Sequence, residues 1–241
     1  MIYVIASFEN PAYIDFIKMR KQQFRKYNIP HAFLYDGTSH ELFHDSEDMY
    51  YEKPQHPQNI VNPHTHMIMK FMNALRVADL SKYTFVLRIN LSTYINIPLL
   101  LIYLQSLSVD KTAAAYTMKL IIPDCSHEFY RTNPIYLLSG CAMIFTMDFI
   151  RFLQTYDLSD FTTLHMHNDD VVLSHLAKEY GCNFFHIPMF HWWAEDSCAE
   201  AQHAILIRCK DDRNRMVDVQ KWKYLLKVND DLDYSRDDRS P

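Results

Sequence analysis

The sequence predicts an α/β domain in which helices flank a mostly parallel central sheet. Short apolar runs rich in β-branched and aromatic residues alternate with longer segments whose apolar residues recur at helical spacing. The chain has 241 residues, of which 49% are hydrophobic, so one domain of this length can bury a full core. We therefore predict a single domain over residues 1–229, followed by a polar tail over residues 230–241 that we expect to be disordered.

The predicted strands are short apolar runs bounded by turn residues or charges. They are residues 2–8, 31–35, 84–88, 113–120, 137–145 and 183–187. The second strand ends at the turn pair Asp36-Gly37, and the 137–145 run is interrupted by Ser139-Gly140. The polar, proline-containing residues 41–63 predict irregular structure.

The predicted helices have apolar residues at helical spacing between polar ones. They are residues 13–27, 65–78, 98–107, 148–155 and 170–181, the last ending at Gly181. In a sheet of this kind the ligand binds at the carboxyl ends of the strands. The residues expected there are Asp36, residues 90–93, Ser139, Gly140, Asp169 and Asp170.

Composition excludes several classes of function. The net charge is −5 and no basic stripe occurs, which argues against a nucleic-acid partner. The five cysteines are scattered and lack CxxC spacing, which argues against a structural zinc site and favours a reducing compartment. With three glycines, the chain lacks the glycine-rich phosphate loops of dinucleotide-binding and P-loop proteins.

No segment predicts a membrane span or a targeting signal. The longest apolar run, residues 95–107, is interrupted by polar residues and a proline. Residues 1–6 have the pattern of a strand rather than of a signal peptide. We therefore expect a soluble, cytoplasmic protein.

The acidic pair Asp169-Asp170 opens the helix predicted near residue 170. A helix N-terminus stabilises negative charge through its dipole and its free backbone N–H groups. A carboxylate that stays ionised can act as a general base. On the local pattern alone a second interpretation is favoured, in which Asp169 is the N-cap and Asp170 lies in the first turn.

Three regions, taken in order, resemble one family of enzymes. Their sequences are MIMKFMNALR at 67–76, VLRINLSTYIN at 86–96, and SGCAMIF at 139–145 followed by DDV at 169–171 and Gly181. Over roughly residues 1–195 the chain resembles the inverting GT-A glycosyltransferases of the β-1,3-galactosyltransferase and fringe type. We expect no N-terminal membrane anchor, and in this respect the chain resembles the soluble glycosyltransferase domains of large DNA viruses more than the Golgi members of the family. For a viral protein the expected location is the host cytoplasm.

The resemblance implies a nucleotide-sugar donor, most simply a UDP-sugar, and a glycan or glycoprotein hydroxyl as acceptor. It implies that Asp170 is the general base, with Asp169 orienting a sugar hydroxyl or capping the helix. The remaining residues expected at the donor are Asp36, Lys70, Arg88, Asn90, Ser92, Ser139 and Gly140. Each of the charged ones has a structural alternative: a turn aspartate at 36, an exposed helix lysine at 70 and a strand-end arginine at 88.

The sequence departs from the family where the metal is expected. The family has three acidic residues after its third strand, whereas this chain has Asn90, Leu91 and Ser92. Manganese and magnesium prefer carboxylate oxygens, so we expect weak metal dependence. Ser92 and His191 remain candidate ligands, although His191 also fits a packed histidine. Arg88 is a candidate cation for the phosphates. Arg20 and Lys21 of the first helix lie near the expected diphosphate, but a solvated basic face is the favoured interpretation.

Two other functions compete with glycosyl transfer. The cluster of His165, His167 and Asp169 superficially resembles a metal-dependent hydrolase signature, but its final histidine is absent. Alternatively, loss of the acidic triplet is what a catalytically inactive sugar-nucleotide binding module would show. Zinc content tests the first alternative, and donor turnover tests the second.

Overall fold

The computed structural model describes residues 1–6, 10–36, 48–51, 63–120, 135–157, 169–192, 201, 203–210 and 214–232. The strands are β1 Ile2–Ile5, β2 His31–Asp36, β3 Met49–Tyr51, β4 Phe85–Asn90, β5 Thr93–Ile95, β6 Thr112–Leu120, β7 Ile135–Thr146, β8 Asn183–His186, β9 Met189–His191 and β10 Leu206–Arg208. The helices are α1 Pro11–Lys26, α2 Pro63–Val77, α3 Ile97–Ser106, α4 Met147–Thr155, α5 Asp169–Tyr180 and α6 Arg215–Asp230. The predicted alternation of strands and helices is confirmed.

Seven strands form the central sheet, in the order β3-β2-β1-β4-β7-β6-β8. Strand β1 pairs in parallel with β2 and β4, β2 pairs in parallel with β3, and β6 with β8. Strand β7 runs antiparallel between β4 and β6. The predicted α/β class with a mostly parallel sheet is therefore correct, with one antiparallel strand inserted at its centre.

A second, three-stranded sheet in the order β5-β10-β9 adjoins the carboxyl end of β4. Strand β5 begins three residues after β4 ends, so the 90–93 segment connects the two sheets. The sequence did not predict β5, β9 or β10. Each is three residues long, too short for a periodic signal, and depends on partners distant in sequence.

Hydrophobic cores cover both faces of the central sheet. Side chains alternate between faces along β1, so Ile2 and Val4 pack in one core while Tyr3 and Ile5 pack in the other. The first core includes residues of α1 and α6, and the second includes residues of α2, α4 and α5. Helices on both faces are the three-layer arrangement expected for an α/β domain.

Helix starts follow local capping chemistry. Asn10 caps α1 through its side chain, which accepts a hydrogen bond of 3.0 Å from the amide of Ala12, and Pro11 occupies the first turn. Asn96 and Asn214 cap α3 and α6 in the same way. None of the described helices is long and apolar enough to span a bilayer.

Two predicted boundaries are corrected. Met49–Tyr51, predicted to be irregular, forms edge strand β3 because its backbone pairs with β2. The predicted tail began at residue 230, but Asp230 is 1% exposed and ends α6. Its carboxylate accepts hydrogen bonds from Tyr94 (2.7 Å) and Gln23 (2.8 Å), so the charged appearance of this segment hid a buried residue. Residues 233–241 lie outside the described residues.

Candidate active site

Arg88 lies at the centre of the site, on the face of β4 that α2, α4 and α5 cover. Its side chain is fully buried. The guanidinium forms an ion pair with Asp169 through Nη2, and Nη1 donates to the carbonyl oxygen of Gly140. Arg88 therefore connects β4, β7 and the first turn of α5. This engagement favours the structural interpretation of Arg88 over the role of a phosphate-binding cation.

The start of α5 is fixed to β7 by Ser174. The Ser174 hydroxyl donates to the carbonyl oxygen of Asp170 over 2.6 Å and accepts from the amide of Leu138 over 2.8 Å. Leu173 and Leu176, on the buried side of α5, pack in the second core. The first turn of α5, which carries the acidic pair, is thus held from both sides.

The two carboxylates of the pair have different environments. Asp169 is 5% exposed and bound to Arg88, whereas Asp170 is only half-buried. Oδ1 of Asp170 accepts from the amide of Val171 (2.9 Å), and Oδ2 lies 3.4 Å from the amide nitrogen of Gly140. Asp170 is therefore the more accessible carboxylate of the pair.

Gly140 allows Asp170 and Arg88 to approach β7 closely. A Cβ atom at this position would lie 3.3 Å from Nη1 of Arg88 and 3.3 Å from Cβ of Asp170. Both separations are tighter than ordinary van der Waals contact. A side chain here would therefore push Arg88 or Asp170 away from β7.

A register shift in β7 explains the interruption that the sequence showed at Ser139-Gly140. Ala115 of β6 pairs with Met143, but Thr117 pairs with Leu138, so residues 139–142 lie opposite Tyr116 alone. The strand is continuous, with its pairing disturbed where it meets α5. Such irregularities commonly occur beside functional sites.

Asn90 and Ser92 lie in the connection between the two sheets. Asn90 ends β4 and pairs in register with Ile5. The carbonyl oxygen of Ser92 accepts from the amide of Cys209 over 3.2 Å, which ties this connection to the residue after β10. Arg20 of α1 donates to the carbonyl oxygen of Thr93 and fixes the start of β5.

Arg20 and Lys21 of α1 do not lie on the solvated basic face that the sequence predicts for them. Arg20 is fully buried and stacks on Trp222, with its guanidinium carbon 4.3 Å from the ring centroid. Burial lowers the pKa of Arg20 to about 9, an effect partly offset by the nearby carboxylate of Asp230. Lys21 is buried in an ion pair of 2.6 Å with Asp48.

Lys70 points to the carboxyl ends of β1 and β2. Its Nζ lies 3.5 Å from the carbonyl oxygen of Ala6 and 3.4 Å from that of Leu34. The side chain is 2% exposed, so the alternative of an exposed helix lysine is wrong. Asp36 ends β2, where its backbone pairs with Tyr51.

Arg208 is a site residue that the sequence did not reveal. It ends β10, in register with Thr93 on one side and His191 on the other. Its Nη1 lies 2.8 Å from Sγ of Cys141, the residue after Gly140. Its partner His191 has a pKa below the usual value because of burial and, secondarily, the charge of Arg208. No sequence signal marked Arg208, because its position depends on unpredicted strands.

The residues at the expected metal position do not fit a divalent cation. Asn90 and Ser92 offer neutral oxygens, and the nitrogen donor, His191, lies beside the positive charge of Arg208. Among the described residues, no group of three or more His, Cys, Asp or Glu side chains is arranged to hold a metal ion. The hydrolase alternative rests on His165 and His167, which lie outside the described residues.

Trp192, which directly follows His191 of β9, packs into the protein. It is 8% exposed, its ring contacts Tyr224 edge-on at a centroid distance of 5.9 Å, and its carbonyl oxygen accepts from Lys221 over 2.6 Å. These contacts tie β9 to α6 and keep His191 beside Arg208.

Comparison with known proteins finds similarity only among solved structures. No protein-family model and no curated protein matches the chain. Among solved structures, the chain is similar to a glycosyltransferase involved in the glycosylation of the major capsid of PBCV-1, with a TM-score of 0.54 and 8% identity over 92% of this chain and 98% of that one.

Two further structures have lower scores. Mouse xyloside xylosyltransferase 1 has a TM-score of 0.47 and 8% identity over 86% of this chain and 96% of that one. The 2-C-methyl-D-erythritol 4-phosphate cytidylyltransferase of Thermus thermophilus has a TM-score of 0.46 and 11% identity over 92% of this chain and 97% of that one. The similarity to the PBCV-1 glycosyltransferase confirms a GT-A-like α/β fold.

Proposed function

We propose that this protein is a glycosyltransferase that moves a sugar from a nucleotide sugar, most simply a UDP-sugar, to a hydroxyl of a glycan or glycoprotein with inversion. The observation that carries the proposal is the division of the acidic pair. Asp169 is buried and neutralised by Arg88, whereas Asp170 is half-buried beside the amide of Gly140. One carboxylate is structural, and the other is available for proton transfer.

In the proposed reaction, Asp170 removes the proton of the acceptor hydroxyl. The acceptor oxygen forms a bond to the anomeric carbon while the bond from that carbon to the diphosphate oxygen breaks. The electron pair of that bond leaves with the nucleoside diphosphate, and the proton remains on the carboxyl of Asp170. Attack from the side opposite the leaving group inverts the anomeric configuration.

The rigidity of the acidic turn supports this role. A general base must be held within hydrogen-bonding distance of the proton that it removes. Ser174 holds the backbone of Asp170, and Arg88 holds the neighbouring Asp169, so the turn has little freedom. Small displacements of such a group cost large factors in rate.

We assign the donor to the carboxyl ends of β1, β2 and β4. Lys70 lies at the ends of β1 and β2, and Asn90 ends β4 beside Ile5. This is the edge where α/β proteins bind nucleotides. Asp36 ends β2 at the same edge and is the candidate for the ribose or base.

A thermal-shift panel of nucleotide sugars and nucleoside diphosphates, with manganese or with EDTA, tests the donor class. A ligand at one hundred times its Kd stabilises a protein by about 2.7 kcal/mol, which shifts the melting temperature measurably. We expect UDP and one UDP-sugar to stabilise the protein. Absence of any shift across the panel, together with no binding by calorimetry at millimolar concentration, would refute the donor assignment.

Turnover of the selected donor distinguishes an enzyme from an inactive binding module. One observation favours an inactive binding module: residues 90–92 contain no carboxylate. An enzyme releases the nucleoside diphosphate, by transfer to an acceptor sugar or slowly to water. Binding without any release, over a panel of acceptor sugars, would establish the module instead.

A further inference from the structure

We propose that Arg208 binds the diphosphate of the donor and stabilises it as it leaves, in the place that a divalent metal would otherwise occupy. This inference rests on the proposed function. It concerns a residue that the sequence did not mark, and it explains how transfer proceeds with Asn90, Leu91 and Ser92 after β4.

The position of Arg208 is the first support. It is the register partner of Thr93, which follows the 90–92 connection. The amide of the next residue, Cys209, binds the carbonyl oxygen of Ser92. A cation on Arg208 therefore lies beside the segment where the metal was expected.

Contacts with the same strand are the second support. Arg208 contacts Cys141 through Nη1, and Asp170 contacts the preceding residue, Gly140. The two charged groups thus approach adjacent residues of β7. In a nucleotide sugar one oxygen separates the anomeric carbon from the nearer phosphorus, so a base and a phosphate-binding cation must lie on either side of one reacting centre.

Exposure is the third support. Arg208 is half-buried, and a guanidinium can bind phosphate oxygens through two parallel hydrogen bonds. Three other cations around this edge are enclosed: Arg88, Arg20 and Lys70 are each at most 2% exposed. Arg88 and Arg20 donate to Asp169 and Thr93 respectively.

Calorimetry in EDTA tests the proposal with uridine, UDP and inorganic pyrophosphate as probes. We expect the wild-type protein to bind UDP at least about tenfold more tightly than uridine, as expected for a charge-assisted contact. Arg208→Gln should lose about 10- to 100-fold in UDP affinity while its uridine affinity stays unchanged. Arg208→Lys should retain part of the preference for UDP over uridine. The affinity for pyrophosphate should change in the same direction as the affinity for UDP in each variant.

A matched control is Arg151→Gln, which removes the same charge from the exposed side of α4. We expect this variant to bind UDP as the wild-type protein does. Melting temperatures of all variants check folding. If Arg208→Gln does not fold, the UDP affinity of Arg208→Lys is compared with that of the wild type. We expect it to be weaker, because a lysine retains the charge but cannot form two parallel hydrogen bonds to a phosphate.

The outcomes separate the two proposals. Equal UDP affinity in wild type, Arg208→Gln and Arg208→Lys, or UDP binding that appears only when manganese is added, would overturn the role of Arg208 and leave the glycosyltransferase proposal intact. Failure of every nucleoside diphosphate and nucleotide sugar to bind, with or without manganese, would overturn both.

Discussion

Arg88 and Asp169 form a buried ion pair that joins strand β4 to the first turn of helix α5. The pair gives the two neighbouring acidic residues different roles, because Asp169 is occupied by the guanidinium while Asp170 is left half-buried. Arg88 also holds the carbonyl oxygen of Gly140, whose amide faces Asp170. One arginine thus fixes three elements around the proposed base.

Replacing Arg88 with Met should strongly destabilise the protein. The change leaves the Asp169 carboxylate buried without its cation, and breaking a buried pair in this way typically costs about 3–5 kcal/mol. The double variant Arg88→Met with Asp169→Leu should recover part of this loss, because it removes both charges. Urea denaturation of the two variants measures the difference, and equal or greater destabilisation in the double variant would contradict the pairing.

Gly140→Ala should reduce turnover more than stability. The added methyl group would meet Arg88 and Asp170 at 3.3 Å each, so one of them must move. We expect a loss of about tenfold or more in turnover, since misplacing a catalytic group is costly even below 1 Å.

Gly181→Ala, at the other end of α5, is the matched control for Gly140→Ala. Gly181 has φ +86° and open space around its Cβ position. Alanine there should cost about 1–2 kcal/mol of stability through its backbone conformation, with turnover unchanged. Unaltered turnover in Gly140→Ala would show that the close approach to β7 does not position Asp170.

Arg208→Gln should raise the pKa of His191. Burial is the main cause of the lowered pKa of His191 and would persist, but the repulsion from Arg208 would be removed. A pKa lowered in the folded state means that the unfolded chain binds the proton more readily, so His191 reduces stability as the pH falls below about 6.5. The variant should therefore lose less stability on acidification than the wild type.

Titration of His191 by NMR measures this change directly, and melting temperatures between pH 5 and pH 7.5 measure its consequence. An unchanged His191 pKa in Arg208→Gln would mean that the two side chains are not close in solution.

Local patterns in the sequence predicted most of the central fold. The apolar runs of β1, β2 and β4 and the helical periodicity of α1, α2 and α5 each lie within one continuous segment. The acidic pair and Gly140 were also recognisable, because each belongs to a short motif. What the sequence could not predict depends on contacts between distant segments.

Arg88, Arg208 and Asp230 illustrate this limit. A charged residue in a strand can bind a ligand or a buried carboxylate, and the element that packs over the strand decides which. For Arg88 that element is α5, which supplies Asp169. Arg208 depends on the pairing of three short strands. Asp230 is enclosed by Gln23 and Tyr94, more than 130 residues away along the chain.

Asp230→Ala should reveal that α6 belongs to the folded domain. The variant removes one of the two acceptors of the Tyr94 hydroxyl and of the Gln23 amide, and the loss of such buried hydrogen bonds typically costs about 1–3 kcal/mol. Chemical denaturation measures the loss. Surface substitutions usually change stability by less than about 0.5 kcal/mol. A loss that small in Asp230→Ala would indicate that this end of α6 is loosely attached.

The central claim is that Asp170 is the general base and that Asp169 holds the turn in place. It is tested most directly by donor turnover in Asp170→Asn and Asp169→Asn, measured with the melting temperature and the Kd for UDP of each variant. We predict that Asp170→Asn loses about a hundredfold or more in turnover, the usual scale for general acid–base catalysis, with its melting temperature and UDP affinity nearly unchanged. Asp169→Asn should instead lower the melting temperature, because Arg88 loses its countercharge. Turnover close to wild type in Asp170→Asn would contradict the claim, whatever the result for Asp169→Asn.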